Sequence, residues 1–190
     1  MKTLSISGLN WANRHKRKFD AIISCEDPER FAKRLRYVGP GPYPERLRLR
    51  FVDLDRPVPE PYCNNEEFGL AKEEDVVAAL SFAEQYDNIL VHCTAGVGRS
   101  PAIGLAILAQ KLGPNKEQEA LDELLRIRPE SVPNLLIVKH ADAILGRSGR
   151  LLDTVLAFDA RQPQNTTRRR LNRIAHLRDG VPEHLWDVQR

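Results

Sequence analysis

In the stretch ILVHCTAGVGRSPAIGLAILAQKL, Ile89 to Leu112, an apolar run ends at Cys93, and Gly96, Gly98, Arg99 and Ser100 follow it directly. A thiol with the ordinary pKa of about 8.5 is only a few per cent ionised at neutral pH, whereas electropositive sites lower that value to roughly 3.5 to 7.5 and create a nucleophile. The residues after Cys93 are of the kind that supply such a field. Gly96 and Gly98 allow the backbone to curl with its N–H groups inward, and a helix opening at Arg99 adds its positive end, so Thr94, Ala95, Gly96, Val97, Gly98 and Arg99 can form an anion nest of phosphate size. The Arg99 guanidinium offers a planar fork for two oxygens of the same anion. A lone cysteine at a strand end is usually a packing residue. The whole set, His92, Cys93, Gly96, Gly98, Arg99 and Ser100 in one register, points instead to nucleophilic attack on a bound oxyanion.

Such a set works only if a strand ends where a helix begins. NILVHC, 88–93, reads as a buried strand and RSPAIGLAILAQKLG as an apolar helix stopped by Gly113-Pro114, which puts the nest in the crevice where open α/β sheets bind ligands. Upstream, TLSISG alternates like a half-exposed strand, FDAIISC has the continuous apolar character of a buried one, and RLRLRFVDLD alternates Leu47, Leu49 and Phe51 against arginines. Helices are expected after Asp27-Pro28, over Lys72 to Asp87, over NKEQEALDELLRIR with Asn115 as cap, and over VPNLLIVKHADAILG. Proline-rich RPVPEPYCNNEEFG is expected to be a loop. Strands alternating with helices of this length imply an α/β fold with a mainly parallel central sheet and helices on both faces.

At 190 residues and 42% apolar composition, one domain with a real core is expected over 1–146, followed by a basic, helical extension over 147–190 that packs on the domain, serves as a dimer arm, or stays partly free. No apolar run reaches the roughly 20 residues of a membrane span, and the N-terminal residues lack a secretory pattern, so a cytoplasmic protein is expected. Cys25, Cys63 and Cys93 are few and unpaired in spacing, which suits a reducing compartment and excludes a disulfide framework or a cysteine metal site. Cys25 reads as core and Cys63 as a loop thiol within possible reach of Cys93. The net charge of +3 fits an anionic ligand and does not call for nucleic acid. Arg168 to Arg170 and Arg173 read as a solvated basic face. His15, His140, His176 and His184 read as surface or packing residues, and Trp11 and Trp186 as packing anchors.

HCTAGVGRS resembles the signature loop of the cysteine-dependent protein tyrosine phosphatases at every fixed position, and the chain's size suits the compact, dual-specificity-like branch. A weaker likeness runs from Phe19 to Gly146 and includes IRPESVPN, Ile127 to Asn134, similar to the segment after the signature helix in compact phosphatases. The resemblance implies a three-layer sandwich and a hydrolase of phosphomonoesters that needs neither cofactor nor metal. It assigns in-line attack to Cys93, oxyanion stabilisation to Arg99 and the amides of Thr94 to Arg99, a hydrogen bond to the sulfur to Ser100, and a scaffolding role to His92. Substrates would be phosphorylated proteins or small phosphomonoesters, with no membrane partner.

The family also takes a general acid from a loop after an upstream strand, where FVDLDRP offers Asp53 and Asp55. Asp53, directly after the apolar strand end, is the preferred residue and Asp55 the alternative; the long stretch that follows leaves Glu60, Glu66 and Glu67 as further candidates. A phosphate-binding module without turnover would keep the nest and lack the acid. Thr94 and Val97 stand where lysines would favour a polyphosphorylated inositol headgroup, and no cysteine follows Cys93 as arsenate reduction would need.

Overall fold

The computed structural model describes residues 3–28, 34–36, 42–58 and 69–176. Four strands, β1 (Thr3–Gly8), β2 (Ala21–Glu26), β3 (Glu45–Arg50) and β4 (Asn88–Cys93), pair in the order β1-β4-β2-β3, every pair parallel. β2 is buried along its whole length and β4 from Ile89 on, as central strands covered on both faces must be. Ile23, Ile89 and Val91 pack into a large core with α2 (Glu73–Glu84), α3 (Arg99–Leu112), α4 (Glu117–Ile127), α5 (Leu135–Ile144) and α6 (Arg150–Ala160). On the other face Ile22 and Leu90 meet Leu9 and Ala12 of α1 (Leu9–His15), joined by Leu35. The expected α/β sandwich is the one observed. Among the described residues no helix is long and apolar enough to cross a membrane, and no cluster of metal-ligating side chains occurs.

Several elements differ from expectation for definable reasons. α1 has no sequence signature because only Leu9 and Ala12 of its seven residues are buried, too few for a periodic stripe. The strand expected to end just before Asp53 stops at Arg50, and 51–58 continues without regular structure. Asn115 does not cap α4; it takes a left-handed φ of 63°, and Lys116 precedes the helix. Arg34 to Arg36 are not helical, and the rest of the helix expected after Pro28 lies outside the described residues. Trp11 is 42% exposed, stacked on His15 at 4.1 Å, rather than a packing anchor. Beyond residue 146, Leu151 and Val155 of α6 join the main core, and α7 (Pro163–Ile174) packs on the domain through arginines: Arg169 and Arg173 are buried, not solvated. His184 and Trp186 lie outside the described residues.

Candidate active site

Cys93 ends β4 and Arg99 opens α3, so the loop between them wraps around the Cys93 sulfur. Each carbonyl from Thr94 to Gly98 points away from that centre and accepts a hydrogen bond from outside. Leu9 N donates to Thr94 O (3.2 Å), Arg128 NH2 and Nε to Ala95 O and Gly96 O (3.5 and 3.1 Å), Val132 N to Val97 O (2.8 Å), and Asn134 N to Gly98 O (3.2 Å). In a trans peptide the N–H points opposite to the C=O, so the amides of residues 95 to 99 face inward. The Gly96 amide reaches Cys93 Sγ at 3.1 Å. Gly96 has φ of 78°, and a Cβ there would fall on the Gly8 amide nitrogen, so glycine is demanded twice. Gly98 is required for a different reason, since a Cβ there would meet the Asp53 carboxylate.

The sulfur lies at the floor of this cradle, and Ser100 Oγ sits 3.2 Å from Sγ and 3.4 Å from Ser7 O. Cys25 lies one residue beyond the Ser24↔His92 pair on β2; burial pushes its thiol up, and it remains a protonated core residue. Cys63 lies outside the described residues. His92 is buried and scaffolding in its contacts: Ser24 Oγ is 2.8 Å from Nε2, and Arg46 Nε donates to the same Oγ at 3.0 Å. The hydroxyl proton is thus directed to Nε2, and the ring proton on Nδ1 faces Cys93 O at 3.4 Å. Burial lowers the His92 pKa to about 4, so the ring is neutral. Arg46 is itself held by buried Glu26, which also takes Arg48 at 2.9 Å.

Arg99 is 4% exposed. Its NH1 donates to Phe51 O at 2.8 Å and pairs with Asp27 Oδ1 at 2.8 Å, while Nε has no hydrogen-bond partner among the described residues. Burial disfavours its charge, but Asp53, Cys93 and Asp27 outweigh it, and the guanidinium is held above its usual pKa. Asp27, after which the sequence suggested a helix, also accepts from Thr94 Oγ1 at 3.2 Å.

Asp53 and Asp55 occupy different environments. Asp53 lies against Gly98 and accepts from Asn134 Nδ2 at 2.9 Å. Asp55 is engaged by other partners: its Oδ1 accepts from Leu135 N at 2.5 Å and pairs with Arg169 NH1 at 3.0 Å. Burial raises the Asp55 carboxyl above its ordinary range, with Arg169 and the Leu135 amide opposing the shift. Glu60, Glu66 and Glu67 lie outside the described residues. A cavity of about 290 Å³ lies beside the nest, walled by Asp53, Asp55, Val97, Gly98, Arg168 and Asn172 among others, so both carboxylates border it. The sequence did not reveal Ser7, Gly8, Ser24 or Asp27 as parts of the site, because nothing local marks them; Ser7, Gly8 and Ser24 are placed by parallel pairing with β4, and Asp27 directly follows the end of β2. Arg128 was findable, since it stands in the IRPESVPN segment.

No protein-family model and no curated protein matches the chain. Solved structures do. PTPMT1 in complex with PI(5)P is 19% identical, with 77% of this chain and 94% of that one covered at a TM-score of 0.52. The Yvh1 phosphatase domain from Chaetomium thermophilum is 18% identical, with 78% and 93% covered at 0.51. At these identities the likeness is one of fold, and the chain has the fold of the cysteine-dependent protein tyrosine phosphatases.

Proposed function

We propose that this chain hydrolyses phosphomonoesters through a phosphocysteine intermediate, in the cytoplasm, with phosphotyrosine or other phosphoproteins as substrates. One observation carries the reading: five consecutive carbonyls of the loop are bonded outward, which aims the amides of residues 95 to 99 at the space above Cys93 Sγ. The buried Nε of Arg99, which has no hydrogen-bond partner among the described residues, supports it as a donor suited to an oxyanion.

In the first step the Cys93 sulfur attacks phosphorus in line, the P–S bond forms as the bond to the leaving oxygen breaks, and Asp53 gives its proton to that oxygen. The inward amides of Ala95, Gly96, Val97 and Gly98, with Arg99, hold the three equatorial oxygens as charge spreads over them. In the second step the Asp53 carboxylate takes a proton from water, the water oxygen bonds to phosphorus, and the electron pair of the P–S bond returns to sulfur. Ser100 Oγ, 3.2 Å away, stabilises the departing thiolate. Neutral His92 supports the loop and moves no proton. Asp55, committed to Arg169 and Leu135, suits a structural role better than that of acid.

The test is turnover of para-nitrophenyl phosphate by wild type and Cys93→Ser, followed by phosphopeptides and inositol phosphates. Wild type is expected to turn over and Cys93→Ser to lose about 10⁴-fold or more. Phosphate binding by wild type with no turnover on any substrate would make the chain a binding module instead. Preference for the inositol phosphates would reassign the substrate.

A further inference from the structure

The loop carrying Asp53 belongs to no helix or strand, yet it is held at several points by one face of α7, a helix in the extension that the phosphatase resemblance does not reach. Asn172 Nδ2 donates to Asp53 O. Arg173 NH1 and NH2 donate to Arg56 O and Pro57 O, both at 3.0 Å. Arg169 NH1 binds the Asp55 carboxylate at 3.0 Å, and its other nitrogens hold Asp159 Oδ2 (2.8 Å) and Pro133 O (2.8 Å). Residues 169, 172 and 173 are spaced three and four apart, so they share one face of the helix, and the two arginines are 4% and 3% exposed.

We infer that α7 is a clamp that sets the general acid, with Asn172 and Arg173 as positioning residues for Asp53; the inference rests on the assignment of Asp53 above. Backbone carbonyls at 53, 56 and 57 need donors, and α7 supplies one to each of the three. Asn134 fixes the carboxylate from the opposite side, through Asp53 Oδ1. A loop so held keeps its acid against Gly98 at the mouth of the nest without waiting for substrate to order it, and a small displacement of an acid is costly because proton transfer requires hydrogen-bond reach.

The experiment compares two aryl phosphates. Release of 2,4-dinitrophenolate needs no proton, whereas release of phenolate does, so a fault in the acid appears selectively on phenyl phosphate. Asn172→Ala and Arg173→Ala are each expected to lose about tenfold or more in kcat on phenyl phosphate and about twofold or less on dinitrophenyl phosphate. Leu171→Ala, on the exposed side of the same helix, should leave both unchanged. Asp53→Asn is the reference and should show the same selectivity with larger amplitude. If Asp53→Asn loses activity equally on both substrates, the acid assignment fails and the clamp with it. If Asp53→Asn is selective but the two α7 variants lose both activities equally, or neither, α7 is packing only and the inference is overturned. Thermal melting of each variant separates loss of folded protein from loss of turnover.

Discussion

The nest and the acid loop face each other across one site, but they are built in opposite ways. The nest is contiguous in sequence, and its shape is held mainly by backbone atoms, with Leu9, Val132 and Asn134 amides completing what Gly96 allows. The acid loop has no ladder or helix of its own, and side chains more than a hundred residues away hold it in place. Main-chain amides and the Arg128 guanidinium hold the end of the proposed nucleophile, and side chains of α7 hold the end of the proposed acid. The two ends should therefore fail differently when perturbed.

The sharpest test of that contrast is the pair of aspartates. Asp53→Asn keeps the size and the contact with Asn134, and kcat should fall by about 10³-fold, within the usual range for lost acid-base help, with melting unchanged. Asp55→Ala should do the reverse: it removes one partner of the buried Arg169 pair and should cost about 3 kcal/mol of stability in denaturant titration. If the two phenotypes were exchanged, Asp55 would be the acid. On the nest side, Gly96→Ala forces a left-handed φ and a clash with Gly8, and should cost about 2 kcal/mol and displace the inward amides. Wild-type turnover in that variant would mean the loop tolerates another path.

A further effect, spread over several pH units, is on pH dependence. The folded-state pKa of His92 is lowered to about 4, so as pH falls below the ordinary value of 6.5 the unfolded chain takes up a proton that the folded one refuses. Stability should then decline with falling pH, by about 1.4 kcal/mol at about pH 5.5 and in full only below the folded value, and His92→Asn should flatten that slope in melting experiments. Asp55, raised when folded, contributes with the opposite sign at lower pH, because there the folded state binds the proton more readily.

Much of the site was readable residue by residue. A strand-end cysteine, two glycines and an arginine before an apolar helix dictate a nest wherever they fold, since φ at Gly96 and the run of β4 into α3 are local matters. The buried strands were legible for the same reason, through continuous apolar runs in β2 and β4. α1 was not, having only two buried side chains to announce it.

Which arginines face water is not a local property, and there the sequence alone misleads: Arg169 and Arg173 look like a solvated basic run, yet they are buried on Asp159, Asp55 and loop carbonyls. Charge patterning indicates that a helix is polar on a face; it does not indicate what meets that face. From the sequence alone come the proposed nucleophile, its cradle and the class of fold, because these follow from backbone conformation and short-range periodicity. Only tertiary structure gives Asp53 and Asp55 different partners and puts α7 on the loop that carries them, because both depend on contacts whose partners lie far apart along the chain.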